Sequence, residues 1–116
     1  MRGRAQGNDY NNDSVYLQFD GSLDKNGQPV FRIGTTSGAA VVIEDASGAG
    51  LSGWGWADNG YGVDGPLIYF ATSGPQRLRV QMREDGVGLD QIVLSASRFK
   101  TIAPGATKKD STIVPR

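Results

Sequence analysis

Residues 76–95, QRLRVQMREDGVGLDQIVLS, are the stretch of the chain with the clearest strand pattern. Apolar and polar residues alternate from Leu78 to Met82, a period of two that is typical of a strand with one face on a core and one in water. Asp85-Gly86 is a strong turn dipeptide, and a second apolar run follows it. The pattern therefore predicts a β-hairpin with a connection longer than two residues. Its first strand has a core face of Leu78, Val80 and Met82, and its second contains Leu89, Ile92, Val93 and Leu94.

Composition limits what the chain can be and do. At 116 residues it fits one domain, large enough to bury roughly two-thirds of its unfolded surface. Twelve Lys and Arg balance twelve Asp and Glu, so no net field favours nucleic acid or an anionic membrane. The chain has no Cys and no His, which removes disulfides, cysteine-ligated zinc and the commonest general base. No apolar run approaches the ~20 residues that span a bilayer, and no signal peptide is found. We expect neither nucleic-acid binding nor membrane insertion.

Short apolar runs separated by turns recur along the chain. Seventeen glycines and the lack of a long helical pattern argue for many turns. About seven short strands with turns every ~8–12 residues predict an all-β domain, either a β-sandwich or a jelly roll. Besides the two strands above, the predicted strands are residues 1–5, 14–20, 30–33, 39–44 and 67–71, the last two nearly continuous in apolar residues, as in strands covered on both faces. The domain is expected over residues 1–99, followed by a C-terminal tail over 100–116.

Several of these stretches resemble a known family. Residues 52–59 (SGWGWADN), 65–70, 79–95 and 104–115 resemble galactose-binding-like jelly-roll domains, and more narrowly the carbohydrate-binding modules attached to bacterial secreted proteins and glycoside hydrolases. The resemblance implies a β-sandwich that binds a polysaccharide or oligosaccharide outside the cell. Such domains have a further N-terminal stretch whose acidic residues help to bind a structural calcium, and that stretch is missing here, so a complete and an incomplete sandwich are both open. Asp90 matches the C-terminal aspartate of that calcium site, so calcium is one expectation and its absence, with the N-terminal acids missing, is the other.

Two tryptophans are the first candidates for sugar binding. A tryptophan face stacks on the flat C–H face of a sugar and buries much apolar area. Trp54 and Trp56 stand in a glycine-rich loop, and the alternative is that one or both fill the core. The resemblance favours Trp54 as the platform. Tyr61 is a secondary aromatic candidate, for which an ordinary loop tyrosine is the preferred interpretation.

Polar candidates surround these rings. Sugar hydroxyls need fixed donors and acceptors, which amides and carboxylates supply, and loops usually carry them. The alternative for each such residue is a turn in which an Asn or Asp side chain bonds its own backbone. The polar candidates are Asp58, Asn59, Asn12 and Asp64.

The predicted hairpin also contains the charged residues Arg83, Glu84, Asp85 and Asp90. We expect Arg83, Glu84 and Asp85 to have a structural role, with the arginine paired across strands. Asp90 is predicted to start a strand among apolar residues, where a carboxylate is costly unless it is paired or coordinates a metal. A glycosidase needs two carboxyl groups at a set separation, but nothing in the sequence marks one as lying in an apolar pocket. We therefore predict a protein that is not an enzyme.

Two functions and one mode of assembly remain. The first function is a non-catalytic sugar-binding module, which exposed tryptophan rings favour. The second is a structural or interaction domain without a glycan ligand, which buried rings favour. A sandwich that lacks its first strands leaves an open edge or an uncovered apolar face, and both invite pairing with another chain. We predict either that the tail, residues 100–116, folds back on the sandwich or that a homodimer exchanges or pairs edges.

Overall fold

The computed structural model describes residues 1–5, 13–43, 53–61, 63, 65–99 and 102–105. These residues form eight strands and no helix, which confirms the all-β prediction. No helix that is long and apolar enough to span a membrane occurs among them. The strands are β1 Arg2–Ala5, β2 Ser14–Phe19, β3 Ser22–Leu23, β4 Ala39–Val42, β5 Gly55–Trp56, β6 Tyr69–Phe70, β7 Leu78–Met82 and β8 Val87–Gln91.

The strands form two three-stranded sheets and one two-stranded pair, all antiparallel. The first sheet has the order β5-β1-β8, with β1 at its centre, and the second has the order β4-β2-β7, with β2 at its centre. β3 and β6 form the two-stranded pair. Each larger sheet is therefore built on a strand from the first fifth of the chain, to which later strands add on both sides.

The core lies on one face of the second sheet. Val15, Leu17 and Phe19 alternate along β2 and are buried, and β4 places Val41 opposite Val15 on the same face. The Phe19 ring meets the Phe70 ring edge-on, with the centroids 5.4 Å apart. Burying a side chain of this size contributes roughly 1.5–3 kcal/mol each, so β2 supplies much of the apolar stabilisation.

β1 crosses this core at close range. A Cβ added at Gly3 would collide with Ile43 Cδ1 and would lie 2.9 Å from the carbonyl oxygen of Gly88. Ile43 follows β4 directly and is fully buried. A glycine in β1 therefore allows the first sheet to approach the core of the second.

The predicted hairpin is wrong. β7 pairs with β2, and β8 pairs with β1, so the Asp85-Gly86 turn leads the chain from one sheet to the other. Gly86 has a φ of 83°, which a turn requires and glycine adopts without strain. A period of two shows that a segment is a strand, but it does not name the strand's partner. β7 and β8 therefore pair with the distant strands β2 and β1, and not with each other.

Three predicted strands differ from the structure. Residues 30–33 form no strand, because Phe31 has a φ of 51° and the segment makes only one isolated bridge, from Arg32 to Phe19, in the described part of the chain. Residues 67–71 shorten to β6, and residues 39–44 to β4, with residue 44 outside the described part. Neither strand is covered on both faces, since Tyr69 in β6 and Ala40 in β4 are exposed.

The hairpin strands also differ in their bounds and burial. β8 ends at Gln91, so Ile92, Val93 and Leu94 follow the strand instead of lying in it. On β7 the expected core face is only partly covered: Leu78 is half-buried, whereas Val80 and Met82 are exposed. The division into a domain over 1–99 and a tail over 100–116 stays a prediction, and residues 106–116 lie outside the described part.

Candidate functional site

The tryptophan loop, residues 53–61, is fixed to the start of β1. The Met1 amino group donates to the Ala57 carbonyl at 2.6 Å, and the Ala57 N–H donates to the Met1 carbonyl at 2.8 Å. Within the loop, β5 pairs Trp56 with Arg2. A loop that is bonded in this way presents its side chains from a defined backbone position.

The two tryptophans have different roles. Trp54 precedes β5 and is 41% exposed, and the preceding Gly53 has a φ of 75° that turns the chain there. Trp56 lies in β5 and is half-buried, and its ring N–H donates to the Gly105 carbonyl at 2.8 Å. Neither ring belongs to the buried core. Trp56 therefore ties residues 102–105 to the sheet, whereas Trp54 presents part of its ring to solvent.

Two further candidates are exposed in the same loop. Tyr61 is 52% exposed. Asp58 is exposed, and its Oδ1 accepts a hydrogen bond from the Gly60 N–H at 2.6 Å. This is the turn that the alternative interpretation of the polar candidates predicts, and it occupies one carboxylate oxygen of Asp58.

Asn59 closes the loop. Its Nδ2 donates to the Pro66 carbonyl at 3.0 Å. Its own carbonyl lies so close to Gly65 that a Cβ there would collide with it. The Asn59 side chain therefore supports the loop through a contact that the sequence does not predict. Asn12 and Asp64 lie outside the described residues.

Asp90 is placed differently from the prediction. It lies near the end of β8 and is exposed, so its carboxylate is not buried among apolar residues and does not start the strand. A buried carboxylate is costly unless it is paired or coordinates a metal, but this cost does not arise for a carboxylate that is exposed. In the described part of the chain, no group of three or more acidic, histidine or cysteine side chains is arranged to hold a metal ion. A calcium site that includes Asp90 stays a prediction.

A polar cluster at the end of β7 was only partly foreseen. The buried Ser14 donates from Oγ to Glu84 Oε2 at 2.6 Å, and Arg83 Nη1 donates to Ser14 Oγ at 2.6 Å and to Glu84 Oε1 at 2.7 Å. The Asp13 N–H adds a bond to Glu84 Oε2 at 3.3 Å. Among the described residues, the acid that Arg83 pairs with is its own neighbour Glu84, and its bond across the strands goes to the Ser14 hydroxyl. The cluster joins residues 70 apart in sequence, for which the sequence offers no local signal.

The electrostatics of Glu84 follow from these bonds. Desolvation favours the neutral acid and would raise the pKa of Glu84. The hydrogen bonds from Ser14 and from Asp13, together with the charge of Arg83, favour the carboxylate and outweigh the desolvation. The pKa of Glu84 therefore lies below its ordinary value. The bonds of Glu84 to Ser14 and to the Asp13 N–H, and the bond of Arg83 to Ser14, join the start of β2 to the turn after β7.

Comparison with known proteins adds no family: no family model matches the chain, and neither a curated protein nor a solved structure matches it. The resemblance to carbohydrate-binding modules therefore depends on the residues of this chain alone.

Proposed function

We propose that the protein is a non-catalytic carbohydrate-binding module with a galactose-binding-like jelly-roll sandwich, which binds a polysaccharide or oligosaccharide through Trp54. The observation that carries the proposal is the partly exposed Trp54 ring, held at the edge of a sheet in a loop bonded to β1. A partly exposed indole on a loop whose backbone is bonded to a strand suits stacking on a sugar face.

The neighbouring side chains have complementary roles in this proposal. The exposed Tyr61 extends the aromatic surface of the loop, and the Asp58 carboxylate accepts hydrogen bonds from sugar hydroxyls. Trp56 and Asn59 support the loop through their bonds to Gly105 and Pro66. Asn12 remains a proposed polar contact from the sequence alone.

Loop anchoring favours binding on energetic grounds. A loop that is ordered only on binding loses conformational entropy at that moment, which lowers affinity. Here the mutual backbone bonds of Met1 and Ala57 and the Asn59 side chain fix the loop before any ligand arrives. From the resemblance to modules of secreted proteins, we also propose that this module lies outside the cell, attached to a larger protein.

A glycan array followed by tryptophan fluorescence tests the proposal. The chain has two tryptophans, so Trp54→Phe and Trp56→Phe each leave a single reporter. We expect a bound oligosaccharide to shift or quench the emission of Trp56→Phe and to leave that of Trp54→Phe nearly unchanged. Trp54→Ala should lose most of the affinity while the thermal transition is retained. Binding that survives Trp54→Ala would reject Trp54 as the platform, and an array without any bound glycan would reject the function.

The alternative is a structural or protein-interaction domain without a glycan ligand. One observation favours it: Val80 and Met82 on β7 are exposed although they continue the apolar face of the core. An empty array combined with self-association of the chain would support this second function. If both glycan binding and self-association are found, the two features belong to different surfaces of one module.

A further inference from the structure

The bonds of the neighbouring strand β2 show which backbone groups of β7 point to its outer edge. The Phe19 N–H donates to the Phe31 carbonyl at 2.8 Å, and the Ile33 N–H donates to the Phe19 carbonyl at 3.0 Å. The backbone groups of Phe19 therefore face away from β7. Because these groups alternate along a strand, those of Gln18 and Tyr16 face β7.

The register then fixes the direction of every group on β7. Arg79 lies opposite Gln18, and Gln81 lies opposite Tyr16, so the N–H and C=O groups of Arg79 and Gln81 bond to β2. The groups of Leu78, Val80 and Met82 consequently point to the outer side. In the part of the chain that the structure describes, β7 is the end strand of its sheet and no strand pairs with that side. An edge of this kind is a template for another strand.

The side chains of β7 are self-complementary about Val80. The sequence LRVQM places apolar residues at the centre and at both ends, and polar residues between them. If a second copy pairs antiparallel with Val80 at the two-fold axis, Val80 meets Val80 of that copy, Leu78 meets Met82, and Arg79 meets Gln81. Val80 is 39% exposed and Met82 69% exposed, so this pairing covers apolar surface that the single chain leaves open.

The charges at this edge are three arginines, two of which are bonded to acids of their own chain. Charged residues on edge strands normally keep other chains away. Here Arg77 pairs with Asp20 at 3.1 Å and Arg83 with Glu84 at 2.7 Å, so the two ends of the strand are locally neutralised. The remaining Arg79 would face the neutral Gln81 of the second copy. The same register sets Arg77 opposite Arg83 of the second copy just beyond each end of the paired strand, where each arginine is already bonded to an acid of its own chain.

We propose that β7 pairs edge to edge with β7 of a second copy, antiparallel and centred on Val80, so that two three-stranded sheets become one sheet of six strands. The paired strand has only five residues, and the interface is smaller than the roughly 1,600 Å² of a standard stable complex. The dimer is therefore weak and forms at high protein concentration. The proposal does not depend on sugar binding, since the tryptophan loop belongs to the other sheet.

Single cysteines test the register, because the chain has none of its own. Val80→Cys would face its own counterpart with the Cα atoms about 5.5 Å apart, inside the ~4.4–6.8 Å range of a disulfide. Met82→Cys is more exposed, but its counterpart would lie four residues along the pair, about 14 Å away. Ala40→Cys places an exposed cysteine on β4, the opposite edge of the same sheet, as a control.

Mild oxidation at high protein concentration should give a disulfide-linked dimer for Val80→Cys and little or none for Met82→Cys and Ala40→Cys. Cross-linking at Val80 that is absent, or no greater than at the two controls, would overturn the proposal.

Sedimentation equilibrium gives a second, independent measurement. The wild-type chain should associate reversibly as concentration rises. Val80→Pro removes the outward N–H without removing a bond to β2, and proline is tolerated in an edge strand at such a position. This variant should lose the association while its circular dichroism spectrum is retained. A wild-type chain that stays monomeric throughout, or a Val80→Pro chain that associates equally well, would contradict edge pairing through β7.

Discussion

The strands β2 and β7 have the same pattern and opposite environments. Both alternate apolar and polar residues, and they lie side by side in one register, with Phe19 opposite Leu78 and Val15 opposite Met82. Yet Phe19 is 1% exposed and Met82 69% exposed. A period of two therefore assigns side chains to a face of a sheet, whereas the position of the strand in the sheet decides whether that face is covered. The central strand is covered, whereas the edge strand is covered only at Leu78.

The largest expected effect is at the covered strand. Phe19→Ala removes a fully buried ring that packs edge-on against Phe70, and it should lower the free energy of unfolding by about 3–5 kcal/mol in urea denaturation. Met82→Ala, a truncation on the same face of the neighbouring strand, is the matched control and should cost far less. Similar losses for the two variants would show that β7 is as well covered as β2.

The covering of β2 depends in part on the close approach of β1. Gly3→Ala places a methyl group against Ile43 Cδ1 and close to the Gly88 carbonyl oxygen, so it should cost about 1–3 kcal/mol of stability. Combining it with Ile43→Val, which shortens the opposing side chain, should recover part of that loss in the same measurement. A Gly3→Ala variant as stable as the wild type would mean that the two sheets are further apart than the structure has them.

The end of β7 is joined to β2 by a contact that depends on pH. Because the pKa of Glu84 is lower in the folded chain than its ordinary 4.5, the carboxylate stabilises the fold above that value. This contribution is lost as the pH falls through the lower folded pKa. Chemical denaturation from neutral to acidic pH should therefore show a smaller acid-induced loss for Glu84→Gln than for the wild type. Asp85→Asn, which changes an exposed carboxylate in the same turn, is the control, and identical acid profiles for the wild type and Glu84→Gln would exclude the cluster as their source.

The sequence predicts the positions of strands better than their partners. The alternation at residues 14–20 and 78–82 correctly indicated β2 and β7, because burial on one face leaves a local trace. The pairing of β8 with β1 leaves none, since it is decided by strands about eighty residues apart, and the Asp85-Gly86 turn alone favoured a hairpin. The strand expected at residues 30–33 failed through the positive φ of Phe31, a conformation that its residue type disfavours.

The sequence likewise predicts one part of the candidate site and not the other. The aromatic residues of the loop were recognisable from residue type, but which ring is exposed depends on contacts with distant segments. Trp56 is held by Gly105, 49 residues later, and Asn59 by Pro66. Both roles arise from the folded arrangement, whereas the Asp58 turn to Gly60 is local and was foreseen as an alternative.

The smallest expected effect is at Met82. Its dependence on protein concentration distinguishes two ways of covering the apolar edge strand β7, by a second copy or by a segment of the same chain. Met82→Ser removes an exposed side chain from the end of β7, so at low protein concentration its stability should lie within about 0.5 kcal/mol of the wild type. Val15→Ser, at the paired position on β2, should be strongly destabilising because Val15 is buried.

Repeating the Met82→Ser measurement at high protein concentration shows whether a second copy or a segment of the same chain covers β7. If a second copy pairs with β7, the wild type gains stability by mass action as concentration rises, and Met82→Ser gains less. A large loss that is independent of concentration would instead mean that a segment of the same chain covers β7, because an intramolecular contact does not respond to mass action.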